Sequence, residues 1–211
     1  MVNRVANTPI APAPSGEVRL ACVGRLEPIK GVDFVIHSVA RLRARGVSCR
    51  LRVIGDGTER QVLEQLAKRL GVDSDVLFTG TLGELDVQHA LAESDVFVSG
   101  SHQEGFSLAL LEALAQGLPA VVTDVGSARD VVRNGATGYV IDNRDPDMFA
   151  DRVLEAAQRA PAMKSRCIQA AEPYSSEAVS ASIVATLRGM VENGSVRLHE
   201  PRKTTLSEAL R

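Results

Sequence analysis

Short apolar segments alternate with amphipathic segments along most of this chain. The apolar segments are rich in Val, Ile and Ala and predict strands at Val18–Val23, Cys49–Ile54, Val76–Thr79, Val96–Ser99, Ala120–Thr123 and Tyr139–Ile141. In the other segments apolar residues recur with the helical period, which predicts helices at Val32–Arg45, Glu59–Leu70, Leu85–Ala92, Leu108–Ala115, Ala128–Arg133, Pro146–Gln158, Pro161–Glu172 and Ser176–Glu192. This alternation predicts an α/β fold, with a Rossmann-like parallel sheet of about six strands and helices on both faces.

The two ends of the chain lack this pattern. Residues 1–16 contain three prolines and predict a linker-like segment. Residues 17–192 predict the folded domain, and residues 193–211 predict a polar C-terminal tail. A total of 211 residues suits one domain with such extensions.

Composition and charge exclude several classes of function. The net charge of −2 and the pI near 6.1 predict no basic surface for nucleic acid. No apolar run reaches the ~18 residues of a membrane span, and no leader sequence is recognisable. The three cysteines show no metal-binding spacing, and Cys22 and Cys49 fall in apolar strands as small buried groups. We therefore expect a cytoplasmic protein without a structural zinc site.

The chemically unusual residues follow the predicted strands. Because the carboxyl ends of parallel strands meet at one edge of the sheet, these residues are expected to border a single ligand crevice. The opposite edge has nothing comparable. The residues at the expected crevice are Gly24, Arg25, Lys30, Gly55, Leu82, Glu104, Gly105, Phe106, Ser107, Asp124 and Gly126.

The chemistry of this edge favours a phosphate flanked by sugars. Arg25 and Lys30 supply two cations from one loop, and the segment Gly105–Ser107 opens a helix whose free amides attract an anion. Glu104 and Glu112 are suited to accept hydrogen bonds from sugar hydroxyls on either side of the phosphate. A nucleoside diphosphate sugar combines these groups.

Structural alternatives exist for the same residues. Arg25 would pair with Glu27, and Lys30 with Asp33, on a solvated loop. Glu112 is the only polar residue of its helix, and a buried carboxylate requires a hydrogen-bonding partner. That partner is either a ligand hydroxyl or the amides of a neighbouring loop.

An ordered set of motifs over residues 18–190 resembles a known family. The motifs are Gly24-Arg25-Leu26-Glu27-Pro28-Ile29-Lys30-Gly31, Val53-Ile54-Gly55-Asp56-Gly57, Phe78-Thr79-Gly80, Glu104-Gly105-Phe106 with Glu112-Ala113, Gly117-Leu118-Pro119 and Gly135-Ala136-Thr137-Gly138-Tyr139. Together they closely resemble the C-terminal half of retaining GT-B glycosyltransferases of family 4, also called group 1. In that family two Rossmann-like halves face each other, and the C-terminal half binds the nucleotide sugar.

The resemblance implies roles for individual residues. Arg25 and Lys30 would bind the diphosphate and neutralise it as it leaves, and Glu104 would lie beside the transferred sugar. These three are the expected catalytic residues, and the resemblance implies that transfer needs no metal and no other cofactor. Glu112 would bind the ribose hydroxyls. The remaining donor-binding positions implied are Gly24, Gly55, Leu82, Gly105, Phe106, Ser107 and Leu108, with Gly55 and Leu82 near the base.

Two departures from the family pattern modify these expectations. Gly100-Ser101 stands where the family commonly has Pro-Ser, which predicts a more flexible loop. The acceptor-binding N-terminal half does not precede the first strand, so we expect a partner domain or subunit to supply it. Alone, the chain would bind donor and transfer sugar poorly. The alternative functions are a non-catalytic nucleotide-sugar-binding or scaffold subunit and, less directly, a sugar-nucleotide epimerase.

Overall fold

A six-stranded parallel sheet forms the centre of the computed structural model, which describes residues 16–192. The strands lie in the order β3-β2-β1-β4-β5-β6, and every neighbouring pair is parallel. Their bounds are β1 Val18–Val23, β2 Cys49–Ile54, β3 Val76–Gly80, β4 Val96–Ser99, β5 Ala120–Thr123 and β6 Gly138–Ile141. The predicted Rossmann-like fold is confirmed.

Helices connect successive strands. Their bounds are α1 Val32–Ala44, α2 Arg60–Arg69, α3 Glu84–Ala92, α4 Leu108–Ala115, α5 Ala128–Val131, α6 Pro146–Ala171 and α7 Ser176–Glu192. Short 3₁₀ turns occupy Pro28–Lys30 and Glu172–Tyr174. All six predicted strands and the first five predicted helices are present, with differences of a residue or two at their ends.

Burial on both faces of the sheet explains why the strand sequences are nearly continuous apolar runs. Every residue of β5 and β6 is buried, as expected for parallel strands that are covered on both faces. Phe34 of α1 packs edge-on against Phe149 of α6 with ring centroids 5.0 Å apart. Aromatic pairs in this geometry add to the stability from buried area, so this contact helps to join two helices over the sheet.

The prediction of separate helices at Pro146–Gln158 and Pro161–Glu172 is wrong. One helix, α6, runs from Pro146 to Ala171 with Pro161 in its interior. A proline there removes one backbone hydrogen bond and usually kinks or ends a helix. The buried residues keep one helical phase across Pro161, at Phe149, Val153, Ala156, Met163, Cys167 and Ala171. Packing of that continuous stripe on the core outweighs the lost hydrogen bond.

The strand order reverses between β1 and β4. From β1 the chain proceeds outward through β2 and β3, returns to the other side of β1, and continues outward through β4, β5 and β6. In open parallel sheets such a reversal opens a crevice beyond the carboxyl ends of the two central strands. The loops that leave β1 and β4, residues 24–31 and 100–107, therefore border the place where a ligand is expected.

The described chain divides into two compact units, one that ends at Glu172 and one that begins at Pro173. The first contains the sheet and α1–α6, and the second contains α7. The linker predicted up to residue 16 and the tail predicted at 193–211 lie outside the described residues except for Gly16, and the domain boundaries stay predictions. Between residues 16 and 192, none of the helices has the length and hydrophobicity that a bilayer crossing requires.

Candidate functional site

The loop after β1 is shaped by its own sequence and by β2. The amide of Gly24 donates to the carbonyl of Ile54 at 3.0 Å, which aligns the ends of the two strands. A 3₁₀ turn over Pro28–Lys30 follows, and Gly31 ends it with φ of 56°. This left-handed conformation strongly favours glycine. The turn places Lys30 on the wall of the crevice between β1 and β4.

The loop after β4 is held by several hydrogen bonds. The amide of His102 donates to the carbonyl of Ile29 at 2.8 Å, and the Thr123 hydroxyl donates to the carbonyl of Ser101 at 2.6 Å. The Arg144 guanidinium donates to the Gly100 carbonyl. These bonds fasten the loop to its neighbours on both sides. The greater flexibility expected from Gly100-Ser101 stays a prediction.

Gly100 is required for close packing. A Cβ at this position would lie 2.5 Å from the carbonyl oxygen of Gly31 and 3.0 Å from the Phe34 ring. The loops after β1 and β4 therefore cross at van der Waals distance. Glycine at both positions makes that crossing possible in this chain.

The two loops enclose a pocket of about 230 Å³. It includes seven of the predicted site residues, namely Gly24, Arg25, Lys30, Glu104, Phe106, Ser107 and Leu108. Four other predicted positions, Gly55, Leu82, Gly105 and Glu112, do not line it. The remaining lining residues are Cys22, Val23, Leu26, Val32, Ser99, Ser101 and Ala109.

The two predicted cations differ in their surroundings. Arg25 is exposed and forms no ion pair with any residue between 16 and 192. Lys30 Nζ lies 2.7 Å from Glu104 Oε2, and both side chains are largely withdrawn from solvent. The alternative pairs are absent, because the Glu27 carboxylate accepts a hydrogen bond from the Thr58 hydroxyl at 2.8 Å and Lys30 bonds Glu104 instead of Asp33. Arg25 is therefore available to an anion.

Glu104 belongs to a hydroxyl network that sequence reasoning missed. Ser101, only 2% exposed, donates its hydroxyl to Glu104 Oε2 at 3.3 Å, and the Ser99 and Ser101 hydroxyls are 3.3 Å apart. Beside it lies a small cavity of about 20 Å³, which includes Ser107, Thr123 and Ser127 in its lining. The signal in the sequence was the appearance of serines at the end of the apolar strand β4.

The N-terminus of α4 opens onto the same pocket. Ser107 is its N-cap, and its hydroxyl accepts a hydrogen bond from the amide of Leu110 at 3.4 Å. The amides of the first helical residues, Leu108 and Ala109, have no acceptor within a helix of this geometry. Together with the helix dipole they favour an anion on the pocket side, where both residues are part of the lining.

Glu112 is exposed rather than buried, so the premise that it needs an internal partner is wrong. Leu108 and Glu112 are four residues apart, on one face of α4, and both are exposed. No residue between 16 and 192 hydrogen-bonds the Glu112 carboxylate. Although the residue as a whole is exposed, its carboxylate is partly withdrawn from water. This partial burial, and secondarily the negative charge of Glu84, raise the pKa of Glu112. Because Glu112 shares one face of α4 with the pocket residue Leu108, its carboxylate lies on the same side of the helix. No residue between 16 and 192 gives it a structural role.

The raised pKa of Glu112 predicts a pH-dependent effect on stability. Its ionised form is disfavoured in the folded state, so the penalty appears as the pH rises above the ordinary carboxyl pKa of 4.5 and is constant above the raised pKa. We expect Glu112→Gln to unfold at the same or a slightly higher urea concentration than wild type at pH 7. That advantage should vanish at about pH 4. A lower midpoint at pH 7 would mean that the carboxylate has a stabilising partner.

Gly55 and Leu82 lie at the same edge of the sheet, outside the pocket. The backbone of Gly55 has φ of 134°, and a Cβ there would lie 2.0 Å from the carbonyl oxygen of Gly24. The backbone of Gly55 is thus in close contact with the start of the loop after β1. Leu82 follows β3 and is half-buried. Neither residue lines the pocket, and their predicted place near a base stays a prediction.

The cysteines and acidic residues offer little further chemistry. Cys22 and Cys49 are buried as predicted, and burial raises the pKa of each to about 12, which keeps both thiols protonated. Within residues 16–192 no group of three or more His, Cys, Asp or Glu side chains is placed to hold a metal ion.

The sequence of the chain matches a family model. The model for glycosyl transferases group 1 covers residues 6–173, which includes every element of the first unit. The chain belongs to the glycosyl transferase group 1 family. The resemblance inferred from the motifs is thereby confirmed.

Curated members of this group 1 family are similar to the chain over part of their length. A GDP-mannose-dependent alpha-(1-6)-phosphatidylinositol monomannoside mannosyltransferase of Mycobacterium tuberculosis is 36% identical over 145 residues, which is 64% of this chain and 37% of that protein. A D-inositol 3-phosphate glycosyltransferase of Geodermatophilus obscurus is 34% identical over 185 residues, 83% of this chain and 41% of that protein. The chain therefore spans about two fifths of the length of these relatives.

Solved structures share the fold. The pneumococcal O-GlcNAc transferase GtfA in complex with UDP and GlcNAc superposes with a TM-score of 0.73 at 22% identity, over 82% of this chain and 36% of that one. Anabaena Alr3699/HepE in complex with UDP also superposes with a TM-score of 0.73, at 23% identity over 82% and 49% of the two chains. At this level of identity the likeness establishes the architecture of this group 1 chain.

Proposed function

We propose that this chain is the donor-binding half of a retaining glycosyltransferase and binds a nucleoside diphosphate sugar in the pocket between β1 and β4. The single observation that carries this proposal is the convergence of three anion-binding features there. These are Arg25, which has no ion-pair partner among residues 16–192, the Lys30 ammonium and the N-terminus of α4. Their position at the reversal of strand order is where open parallel sheets bind ligands. Names of relatives, which specify GDP-mannose and UDP, support the same class of ligand.

Each group has a proposed part in transfer. As the bond between the anomeric carbon and the diphosphate breaks, negative charge grows on the departing oxygen, and Arg25 and Lys30 stabilise that charge. The amides at residues 105–108 bind phosphate and sugar, and Glu104 accepts hydrogen bonds from hydroxyls of the transferred sugar. Glu112 accepts hydrogen bonds from the ribose hydroxyls. No metal is required, because the cations and amides supply the positive charge.

The acceptor is proposed to come from a second half. A transferase must position the acceptor hydroxyl and exclude water from the anomeric carbon. The described residues form a crevice at one sheet edge, and the curated relatives are more than twice as long as their matched part. We infer that an acceptor-binding domain or subunit completes the site above this edge.

Binding of the donor tests the proposed function directly. GDP-mannose, UDP-glucose, UDP-GlcNAc and ADP-glucose are compared by thermal shift, since a ligand that binds only the folded state raises the melting temperature as its excess over Kd grows. We expect one of them, and its parent diphosphate, to stabilise the chain. Calorimetry that finds none of the four bound to a folded chain would exclude this function.

Gly105→Ala separates a ligand requirement from a folding requirement. A Cβ on Gly105 would meet no atom within 4 Å, and its φ is not positive, so nothing in the fold demands glycine. We expect the free energy of unfolding to change by less than about 1 kcal/mol. Donor binding, measured by calorimetry, should weaken by about tenfold, because the methyl group occupies the space through which phosphate oxygens approach the amides.

Gly46→Ala is the control for this binding measurement. Gly46 lies before β2, at the opposite edge of the sheet, and a Cβ there would also meet no atom within 4 Å. Its φ of 75° is left-handed, so this substitution costs stability but does not alter the pocket. We expect it to bind the donor as wild type does. If Gly105→Ala bound the donor as wild type does too, the backbone at this turn would not contact the ligand.

A further inference from the structure

The ion pair of Lys30 and Glu104 reduces the positive charge of the pocket. The 2.7 Å contact joins side chains that are only 23% and 18% exposed. Two cations, Arg25 and Lys30, and one carboxylate leave a single net positive charge at the place where a diphosphate is proposed to bind. The carboxylate of Glu104 therefore opposes part of the attraction that the cations provide.

Glu104 is held at the pocket wall by more than its cation. The Ser101 hydroxyl donates to the same Oε2 atom at 3.3 Å, and Ser101 is itself fixed by the hydrogen bond from Thr123 to its carbonyl. The carboxylate thus has a neutral partner that remains when Lys30 turns toward a phosphate. This hydrogen bond holds the Glu104 carboxylate at the pocket wall independently of Lys30.

A bare nucleoside diphosphate and its sugar ester differ in charge and in hydrogen-bond donors. The terminal phosphate of the bare diphosphate carries about two negative charges near neutral pH, as other phosphomonoesters do. In the sugar ester the same phosphate carries about one, and sugar hydroxyls lie beside it. An ionised carboxylate only accepts hydrogen bonds. It therefore attracts the hydroxyls of the ester and repels the additional charge of the bare diphosphate.

We propose that Glu104 acts as a charge filter that makes the pocket prefer the nucleoside diphosphate sugar over the bare diphosphate. The inference rests on the proposed function of the pocket. Transfer removes the sugar hydroxyls and adds one charge to the diphosphate, so Glu104 changes from a partner of the substrate into a repulsive neighbour of the product. Lys30 then regains Glu104 as the product leaves. Glu104 is in this sense a specificity-determining residue that also promotes product release.

Calorimetry on Glu104→Gln tests the charge filter. Glutamine keeps the length and an acceptor oxygen but removes the charge. The ligands are GDP, GDP-mannose and the ethyl ester of GDP, with the corresponding UDP, UDP-glucose and UDP ester if the wild type binds uridine nucleotides. We expect the variant to bind the bare diphosphate about tenfold more tightly than wild type does. It should bind the nucleoside diphosphate sugar with equal or lower affinity. The ethyl ester, which lacks both the additional charge and the hydroxyls, should gain less than the bare diphosphate.

Two further variants separate local from general effects. Glu93→Gln changes the net charge equally but lies between α3 and β4, at the opposite edge of the sheet, and should leave all affinities unchanged. Glu104→Asp keeps the charge and withdraws it by one methylene, so it should shift the ratio of the two affinities in the same direction as glutamine but less. A gain of equal size in Glu93→Gln would refute the filter.

Two further outcomes distinguish failure of the charge filter from failure of the proposed function. If Glu104→Gln and Glu104→Asp bind the bare diphosphate no more tightly than wild type, while wild type binds both ligands, the filter is excluded and the proposed function stands. If the folded wild type binds none of these nucleotides at 1 mM, a concentration about a thousandfold above micromolar Kd values, both proposals fail. The two failures are thus distinguishable in one series of titrations.

Discussion

A double variant, Arg25→Ala with Lys30→Ala, is expected to lose at least a hundredfold in affinity for the nucleoside diphosphate that the wild type binds. Hydrogen bonds to charged groups contribute about 1.5–3 kcal/mol each, and two of them correspond to a factor of about 10² to 10⁴. The loss of Lys30 also leaves Glu104 without its counterion beside the phosphate. Calorimetry with GDP, UDP and ADP measures the effect.

Folding should survive this double change, because Arg25 is exposed and has no ion-pair partner within the described residues, and because Glu104 keeps the hydrogen bond from Ser101 when Lys30 is removed. The matched control is Arg50→Ala with Lys68→Ala, which removes the same charge from the start of β2 and the last turn of α2. Both positions lie toward the opposite edge of the sheet, so binding should stay within about twofold of wild type if only local charges act. Equal losses in the two double variants would show that general charge, not this loop, attracts the nucleotide.

Among the single variants proposed here, Gly31→Ala is expected to cause the largest loss of stability, about 2–5 kcal/mol. The backbone of Gly31 is left-handed at φ of 56°, which costs a residue with a side chain about 1–2 kcal/mol. In addition, its Cβ would lie 2.0 Å from the carbonyl oxygen of Gly100, and overpacking of this kind costs about 1–3 kcal/mol. The Gly100 carbonyl has little freedom to yield, since Arg144 donates a hydrogen bond to it. Urea unfolding monitored by circular dichroism measures the difference.

Gly46→Ala separates the two contributions. Gly46 is also left-handed, with φ of 75°, but a Cβ there would meet nothing within 4 Å. It should therefore lose only the backbone part, about 1–2 kcal/mol. The excess loss in Gly31→Ala measures how tightly the loops after β1 and β4 cross. Equal losses in both variants would mean that the crossing relaxes without cost.

The sequence was sufficient for most of the fold because its signals are local. Apolar runs of three to six residues predicted each of the six strands, and helical periodicity predicted the helices between them. The prediction failed at Pro161, where a local rule indicated a break. The contacts of α6 with core residues distant in sequence stabilise the continuous helix more than Pro161 destabilises it.

The site was predicted only in part, for a related reason. Charged and glycine residues after predicted strands located Arg25, Lys30 and Glu104, which the structure places in one pocket. The hydroxyls of Ser99 and Ser101 were missed, because serine at a strand end is common and its partner lies in another loop. Glu112 was expected to be buried from the composition of its helix alone. Whether that face is exposed depends on which elements pack against the helix. The composition of the helix carries no information about those elements.

Taken alone, the order of residues determined the alternation of strands and helices, the edge at which unusual side chains gather, and the family to which the chain is similar. These follow from periodicity and from motifs of neighbouring residues. Only the tertiary structure decided that Lys30 pairs with Glu104, that Arg25 stays without a partner in the described chain, and that Gly31 and Gly100 cross. The Lys30–Glu104 pair and the crossing of Gly31 and Gly100 depend on atoms about seventy residues apart in sequence, and these atoms come together only when β1 and β4 lie side by side.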